Sequence, residues 1–467
     1  MINLKEKIYN NVFIFFIFIT LLYTFEQIAL GPFSYLYSND TAMHAFPKRV
    51  SAINDLFDFG LSYWSPYVGG GADLYASSNL YYSSIRESSL LMLFFPPWLA
   101  YQITLFVSIL LAGYFTFTIL YNNFKLSFLQ SISGGILYQA AVPYFFDIAI
   151  SFLPMTLFIF QKYINKKLSI TNIFIIIITS IFYCMLTGLA NQFSCFALII
   201  LWLLLFNNLK KNWKNIFIYS GILISIFFSY FITLILALKI NSISSHRTVN
   251  IDLSNICENV LTCIPIEDFL YSAVFNNIIP WGLFYILIIF VALYNFKNNT
   301  NLFRSTLLLI SFSIGTVLLS TLFKLLVPKI ELLNFLKGFN TYRWGEPFSF
   351  LFVLSLLLTF NEIKKYKNKY FNILFISIVL LFFSYDQLYK KFKNIEIYLS
   401  RSHSYVSIFQ NDHLNKLSKE QKPFRGQNYP GEITSISWLA AYNIEEAGGF
   451  SFMISSDYLD LWRTMVH

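Results

Sequence analysis

The sequence predicts an all-α polytopic membrane protein of about 11 transmembrane helices, with a small α+β extracytoplasmic region at its C-terminal end. Three observations carry this. Of the 467 residues, 56% are hydrophobic and only 12% are charged, about half the charge of a soluble domain. Apolar runs recur too often and run too long for one soluble core. The basic residues gather in short segments between those runs.

The first apolar run is Val12–Leu30, with Lys5 and Lys7 ahead of it. A cleaved signal peptide is one reading, since Ala29-Leu30-Gly31 resembles a cleavage site. The length and Phe content of the run favour an uncleaved helix. Further helices are expected at Ala100–Tyr121, Phe128–Phe145, Ile150–Tyr163, Ile170–Leu189, Gln192–Phe206 and Ile216–Leu238. Four more are expected at Ile279–Tyr294, Ser305–Leu326, Phe348–Phe360 and Phe371–Ser384. Several are short for a hydrocarbon core of about 30 Å.

Alternating sides from an inside N-terminus tests this list. Fifteen basic residues then fall inside: Lys5, Lys7, Lys125, Lys162, Lys166, Lys167, Lys210, Lys211, Lys214, Lys297, Arg304, Lys364, Lys365, Lys367 and Lys369. The positive-inside rule expects this, and slipping one helix destroys it. Of 24 acids only Glu6 and Glu362 lie inside, leaving 22 outside or at the edge. The expected location is a bacterial plasma membrane, with the N-terminus cytoplasmic and the C-terminus extracytoplasmic.

Two units follow: a transmembrane module over 1–384, with a large first outer loop at 33–99, and an extracytoplasmic domain over 385–467. Long outer segments also run over Lys239–Ile278 and Val327–Pro347. Long loops tend to carry function, which points to the outer face. In the last unit, Ile433–Tyr442 and Ile444–Phe452 mix strand and helix signals. Ser455 reads as the cap of a helix start.

The net charge of +9 is spread over inter-helix segments rather than one folded face. That favours a lipid bilayer as partner, and no nucleic acid. Cys184 and Cys195 lie in apolar runs and read as packing residues. Cys257 and Cys263 share a polar loop and are either a small disulfide or two thiols. Nucleotide-binding loops, zinc spacings, a nucleophile elbow and internal repeats are not found.

The first outer loop carries the chemistry. Asp40 follows the first helix closely. There a carboxylate can take a proton from a hydroxyl nucleophile, or Asn39 or Asp40 can cap a helix Thr41–Asp58. His44 lies one turn on, either solvated or on the same face as Asp40. Gly69, Gly70 and Gly71 permit a tight turn or close backbone approach to a ligand. Asp73 after them suits sugar hydroxyls or a divalent cation, the one cofactor left open, or else stabilises the turn. Lys48, Arg49 and Arg86 are phosphate partners or solvated charges. Asp147 is a second acid or a cap. Arg343 beside Tyr342 and Trp344 either holds a lipid phosphate in a bidentate contact or snorkels at the interface.

These pieces carry a resemblance. Asp40-x3-His44-x2-Pro47, then Gly60-x3-Trp64-Ser65-Pro66, Gly70-Gly71, Asp73 and Phe95-Pro96 resemble the GT-C superfamily of membrane glycosyltransferases, and YfhO-like bacterial members most. The likeness is strongest over the first hundred residues and mainly topological to Ser384. It implies many helices, short inner loops and an outward-facing site. It implies a polyprenyl-phosphate sugar as donor and a glycan or lipid of the cell envelope as acceptor, with inverting transfer. It implies Asp40 as catalytic base, with His44, Arg49, Asp73, Arg86, Asp147, Tyr342 and Arg343 around the substrates. The other functions weighed are a transporter or flippase of a lipid-linked saccharide, which usually places ionisable groups inside its spans, and a membrane scaffold.

Overall fold

The computed structural model describes residues 2–31, 87–141, 149–186, 189–240, 281–297, 299–326 and 347–366. Short pieces at 50, 53, 56–57, 64–65, 72–73, 243–245, 416 and 453–455 are described as well. The helices are α1 (Ile2–Leu30), α2 (Glu87–Met92), α3 (Pro97–Asn122), α4 (Phe128–Ala141), α5 (Ala149–Ile164), α6 (Ile170–Leu186), α7 (Leu189–Phe206) and α8 (Leu209–Ile240). They continue with α9 (Trp281–Tyr294), α10 (Thr300–Leu326) and α11 (Phe348–Tyr366). Four strands of two or three residues form two antiparallel ladders, β1 (Trp64–Ser65) with β2 (Ala72–Asp73) and β3 (Ile243–Ser245) with β4 (Met453–Ser455).

Ten of the eleven expected apolar segments are helical, and the last, Phe371–Ser384, lies outside the described residues. Boundaries move for physical reasons. α1 starts ten residues early because its first turns find a partner: Tyr9 Oη donates to Asn122 Oδ1 at 2.6 Å and its ring packs edge-on against Phe117. α8 starts at Leu209, where Asn208 Oδ1 accepts from the Lys211 N–H as an N-cap. Ser455 ends β4, paired with Ile243, and the helix expected after it lies outside the described residues.

The core is aromatic and continuous. Trp202 of α7 sits among Phe124, Phe206 and Phe350, at centroid distances of 5.7, 4.4 and 5.7 Å. Tyr138 of α4 meets Phe350 edge-on at 5.7 Å, which ties α4 and α7 to α11. Where α1, α3 and α4 converge, glycines replace bulk. A Cβ on Gly135 would lie 2.4 Å from the Phe16 ring and 2.8 Å from the Gly113 carbonyl oxygen. These backbones approach as closely as they do only because both positions lack side chains.

Pro154 sits inside α5 and cannot donate to the carbonyl of Ile150. Tyr138 Oη donates to that carbonyl instead, at 2.6 Å.

The ends of the helices sort onto two faces. At one face, the N-terminal part of α1 meets the end of α3 through Tyr9 and Asn122. Gln161 near the end of α5 and Asn207 after α7 exchange two hydrogen bonds, at 2.8 and 3.2 Å. Asn215 in the second turn of α8 donates to the carbonyls of Ile164 and Lys166 at 2.8 and 2.9 Å. Asn299, before α10, donates to Glu362 near the end of α11. Lys125, Lys162, Lys166, Lys167, Lys210, Lys211 and Lys214 are exposed at this face. At the opposite face, Gln102 joins the start of α3 to the end of α1. The consecutive long helices therefore alternate in direction, as the charge pattern requires.

Between the two faces the outer surface is apolar. Phe13, Ile14, Phe18, Leu21 and Leu22 of α1 are exposed, as are Phe174 and Ile178 of α6, Phe217, Ile224 and Phe228 of α8, and Phe290 and Leu293 of α9. Two segments among the described residues, Asn11–Leu30 and Pro97–Asn122, are long and apolar enough to cross a bilayer. Shorter apolar helices include Ile150–Ile164, Ile170–Cys184 and Ser349–Ile363. α4 and α9 have 14 residues each, about 21 Å of helix at about 1.5 Å per residue.

Candidate functional site

The loop that carries most of the site residues expected from sequence leaves α1 at the face opposite the lysines. That departure is anchored. Gln102 Nε2 donates to the carbonyl oxygens of Gln27 and Gly31, at 2.7 and 2.9 Å. These are carbonyls of the last turn, which have no partner within the helix itself. Gly31 has φ +51°, the left-handed conformation that ends helices and that glycine adopts at least cost. Asp40 follows nine residues later in the chain and lies outside the described residues.

Farther along the loop, Val50, Ile53, Leu56 and Phe57 are helical and Ile53 is buried. They fall in the second half of the expected helix Thr41–Asp58. β1 and β2 then pair Trp64 with Asp73 and Ser65 with Ala72. The glycine-rich stretch is thus the connection of a hairpin, and Asp73 stands in its second strand directly across from Trp64. Gly69, Gly70 and Gly71 themselves lie outside the described residues. Asp73 is in a ladder position rather than inside the turn.

Of the other site residues expected from sequence, His44, Arg49, Arg86, Asp147, Tyr342 and Arg343 lie outside the described residues, as do Lys48, His246, Arg247, Glu267 and Asp268. Cys257 and Cys263 lie outside them too, whereas Cys184 and Cys195 are buried. Among the described residues, no group of three or more His, Cys, Asp and Glu is placed to hold a metal ion.

The structure adds burial at polar residues that the sequence places near a helix end or does not single out. Glu26 and Gln27, in the last turn of α1, are 0% and 1% exposed. The Gln27 side-chain amide has no hydrogen-bond partner among the described residues. Glu26 reads from sequence as an end-of-helix acid, where water can solvate it. Burial of a carboxylate inside an apolar bundle is costly, and this marks Glu26 as a retained polar group near the C-terminal end of α1. Deeper in the same seam, Gln139 Nε2 donates to Thr20 Oγ1 at 2.9 Å, and both side chains are fully buried. The Phe-rich pattern of α1 hid this seam, because one polar residue per turn is a weak signal in an apolar run.

Set against protein-family models, curated proteins and solved structures, the chain matches none of them.

Proposed function

We propose that this chain is a polytopic membrane protein whose lysine-bearing face is cytoplasmic, and that it transfers a sugar from a polyprenyl-phosphate donor to a cell-envelope acceptor at the opposite face. The observation that carries the membrane part is the apolar belt between a cationic face and a face that anchors the first long loop. A water-soluble bundle does not expose Phe and Ile on four helices over a contiguous height. A lipid-facing one does, with its backbone groups satisfied inside helices.

The enzymatic part rests on the resemblance of the first loop. The donor already carries its leaving group, so the protein must orient an acceptor hydroxyl and take its proton. Asp40 is the proposed base. As the acceptor oxygen attacks the anomeric carbon, Asp40 takes the hydroxyl proton and the polyprenyl phosphate departs. Arg343, with Arg49 and Arg86, is proposed to meet the departing charge. Asp73, Asp147, His44 and Tyr342 are proposed to hold sugar hydroxyls, with a divalent cation left open. The clamp from Gln102 supports this reading because it fixes where the loop bearing Asp40 begins.

The test is Asp40→Asn in the native host, with expression and membrane insertion checked. The expected result is loss of one sugar from surface glycans; unchanged glycans with a folded variant refute the assignment. Buried Glu26 favours a second reading, a carrier of a lipid-linked saccharide, since intramembrane acids commonly mark transport paths. Glu26→Gln separates the two: a carrier leaves the lipid-linked saccharide stranded on the inner leaflet, whereas a transferase leaves it accumulated on the outer leaflet in the Asp40→Asn strain.

A further inference from the structure

The lysine-bearing face holds an open cavity of about 450 Å3. It lies where the ends of α3, α5 and α7 meet the start of α10. Asn123, Gln161, Lys162, Asn165, Trp202 and Asn301 contribute to its lining, and among the described residues no carboxylate does. Two N–H groups on residues of that lining are left over. Trp202 is 1% exposed, and its indole Nε1 has no acceptor among the described residues. The Asn123 Nδ2 atom is buried and likewise unpartnered. An indole nitrogen can only donate, so this one remains unsatisfied unless an acceptor enters.

The polar neighbours are already committed to one another. Gln161 and Asn207 satisfy each other, and Asn165 Oδ1 accepts from Asn212 at 2.7 Å. Residues of the lining therefore carry two spare N–H groups and the exposed ammonium of Lys162. Lys162 lies 5.8 Å from the Tyr163 ring and Lys166 lies 4.5 Å from it, which holds both lysines along this rim. Glu362, an acid on this face, is 1% exposed and accepts from Asn299.

From this arrangement we infer that the cavity binds the phosphate headgroup of an anionic phospholipid from the leaflet on the lysine side. The size suits a phosphodiester with a small polar alcohol. Phe124, Phe158 and Phe206 supply apolar lining on which the glycerol and the first acyl carbons can rest. Basic pockets between transmembrane helices on the cytoplasmic side recognise such headgroups through this combination of cation and donors. The inference rests on the reading that the bundle sits in a bilayer.

The full chain in neutral detergent micelles, titrated with phosphatidylglycerol while its unfolding midpoint is followed, tests it. Phosphatidylcholine, glycerol phosphate and inorganic phosphate serve as separate arms. The expected result is stabilisation by phosphatidylglycerol alone. Lys162→Gln and Trp202→Phe, the latter keeping the ring and losing the N–H, should each raise the half-saturating lipid concentration by about fivefold or more. Asn123→Asp, which puts negative charge where a donor stood, should abolish the response. Its midpoint without lipid reports folding, so the proposal stays testable if Trp202→Phe is unstable. Lys210→Gln, on the same face but outside the lining, should change the response less than about twofold. A wild-type response in the three lining variants overturns the inference, as does an equal loss in Lys210→Gln. An equal response to free phosphate also overturns it, in favour of a soluble ligand. A chain that stays monodisperse once detergent is removed sinks the membrane reading itself, which is a different failure.

Discussion

Tyr138 donates its hydroxyl proton to the carbonyl of Ile150 at 2.6 Å, the acceptor that Pro154 leaves without its helical donor. A proline in the middle of a buried helix thereby becomes a joint between α4 and α5. Tyr138 is fully buried, so no water is at hand to replace it. Tyr138→Phe should destabilise the bundle by roughly 1–3 kcal/mol, the cost of a buried carbonyl left unpaired. Pro154→Ala restores an N–H four residues after Ile150. In that background Tyr138→Phe should cost less than half as much. Thermal unfolding of the four proteins in a double-mutant cycle measures the coupling, and a cycle without coupling contradicts the joint.

The contact of α1, α3 and α4 makes a second prediction. Gly135→Ala pushes a methyl into the Phe16 ring and the Gly113 carbonyl. The ring can turn, but the carbonyl belongs to a helix backbone. A loss of about 1–3 kcal/mol is expected, in the range of overpacked cores. Gly221→Ala in α8, where nothing lies within 4 Å of the added carbon, should be neutral or slightly stabilising through helix propensity. Midpoints of thermal unfolding compare the two.

Gln102 holds the end of α1 by two carbonyls, so Gln102→Leu should loosen the start of the first outer loop without unfolding the bundle. Hydrogen exchange at the amides just after Gly31 should quicken at least tenfold, while exchange within α3 and α4 stays as it was. Uniform exchange in both regions, before and after the change, refutes the clamp.

Tyr9 gives a pH dependence whose sign is fixed. Burial raises its pKa above the ordinary value of 10.0, and the neighbouring Tyr121 adds to the rise. The folded chain thus keeps this proton at a pH where the unfolded chain releases it. Stability from Tyr9 is complete below pH 10.0 and is lost as pH rises through the higher folded value. Wild type should lose thermal stability more steeply than Tyr9→Phe above that pH, and parallel curves contradict this.

Much of the bundle is legible in the sequence because helix length and loop charge are local quantities. The lysines at 162–167 and 210–214 mark where helices turn, and the hydrogen bonds of Asn215 to Ile164 and Lys166 hold those two turns together. What escapes is what depends on neighbours. Nothing local to Glu26 says that α1 buries it, and nothing local to Trp202 says that its N–H stays unmatched. The hairpin of Trp64 and Asp73 is half legible: the glycines announce a turn, but the partner strands are two residues each. The N-terminal extension of α1 was hidden because Tyr9 needs Asn122, 113 residues away.

The account depends most on the two faces of the bundle lying on opposite sides of a bilayer. A membrane-impermeant thiol reagent applied to intact cells tests that directly, using Ser65→Cys and Lys210→Cys in a chain whose native cysteines are replaced. Cys at position 65 should label on intact cells, and Cys at position 210 only after the membrane is opened. Labelling at 210 from outside, or at both positions alike, contradicts the account.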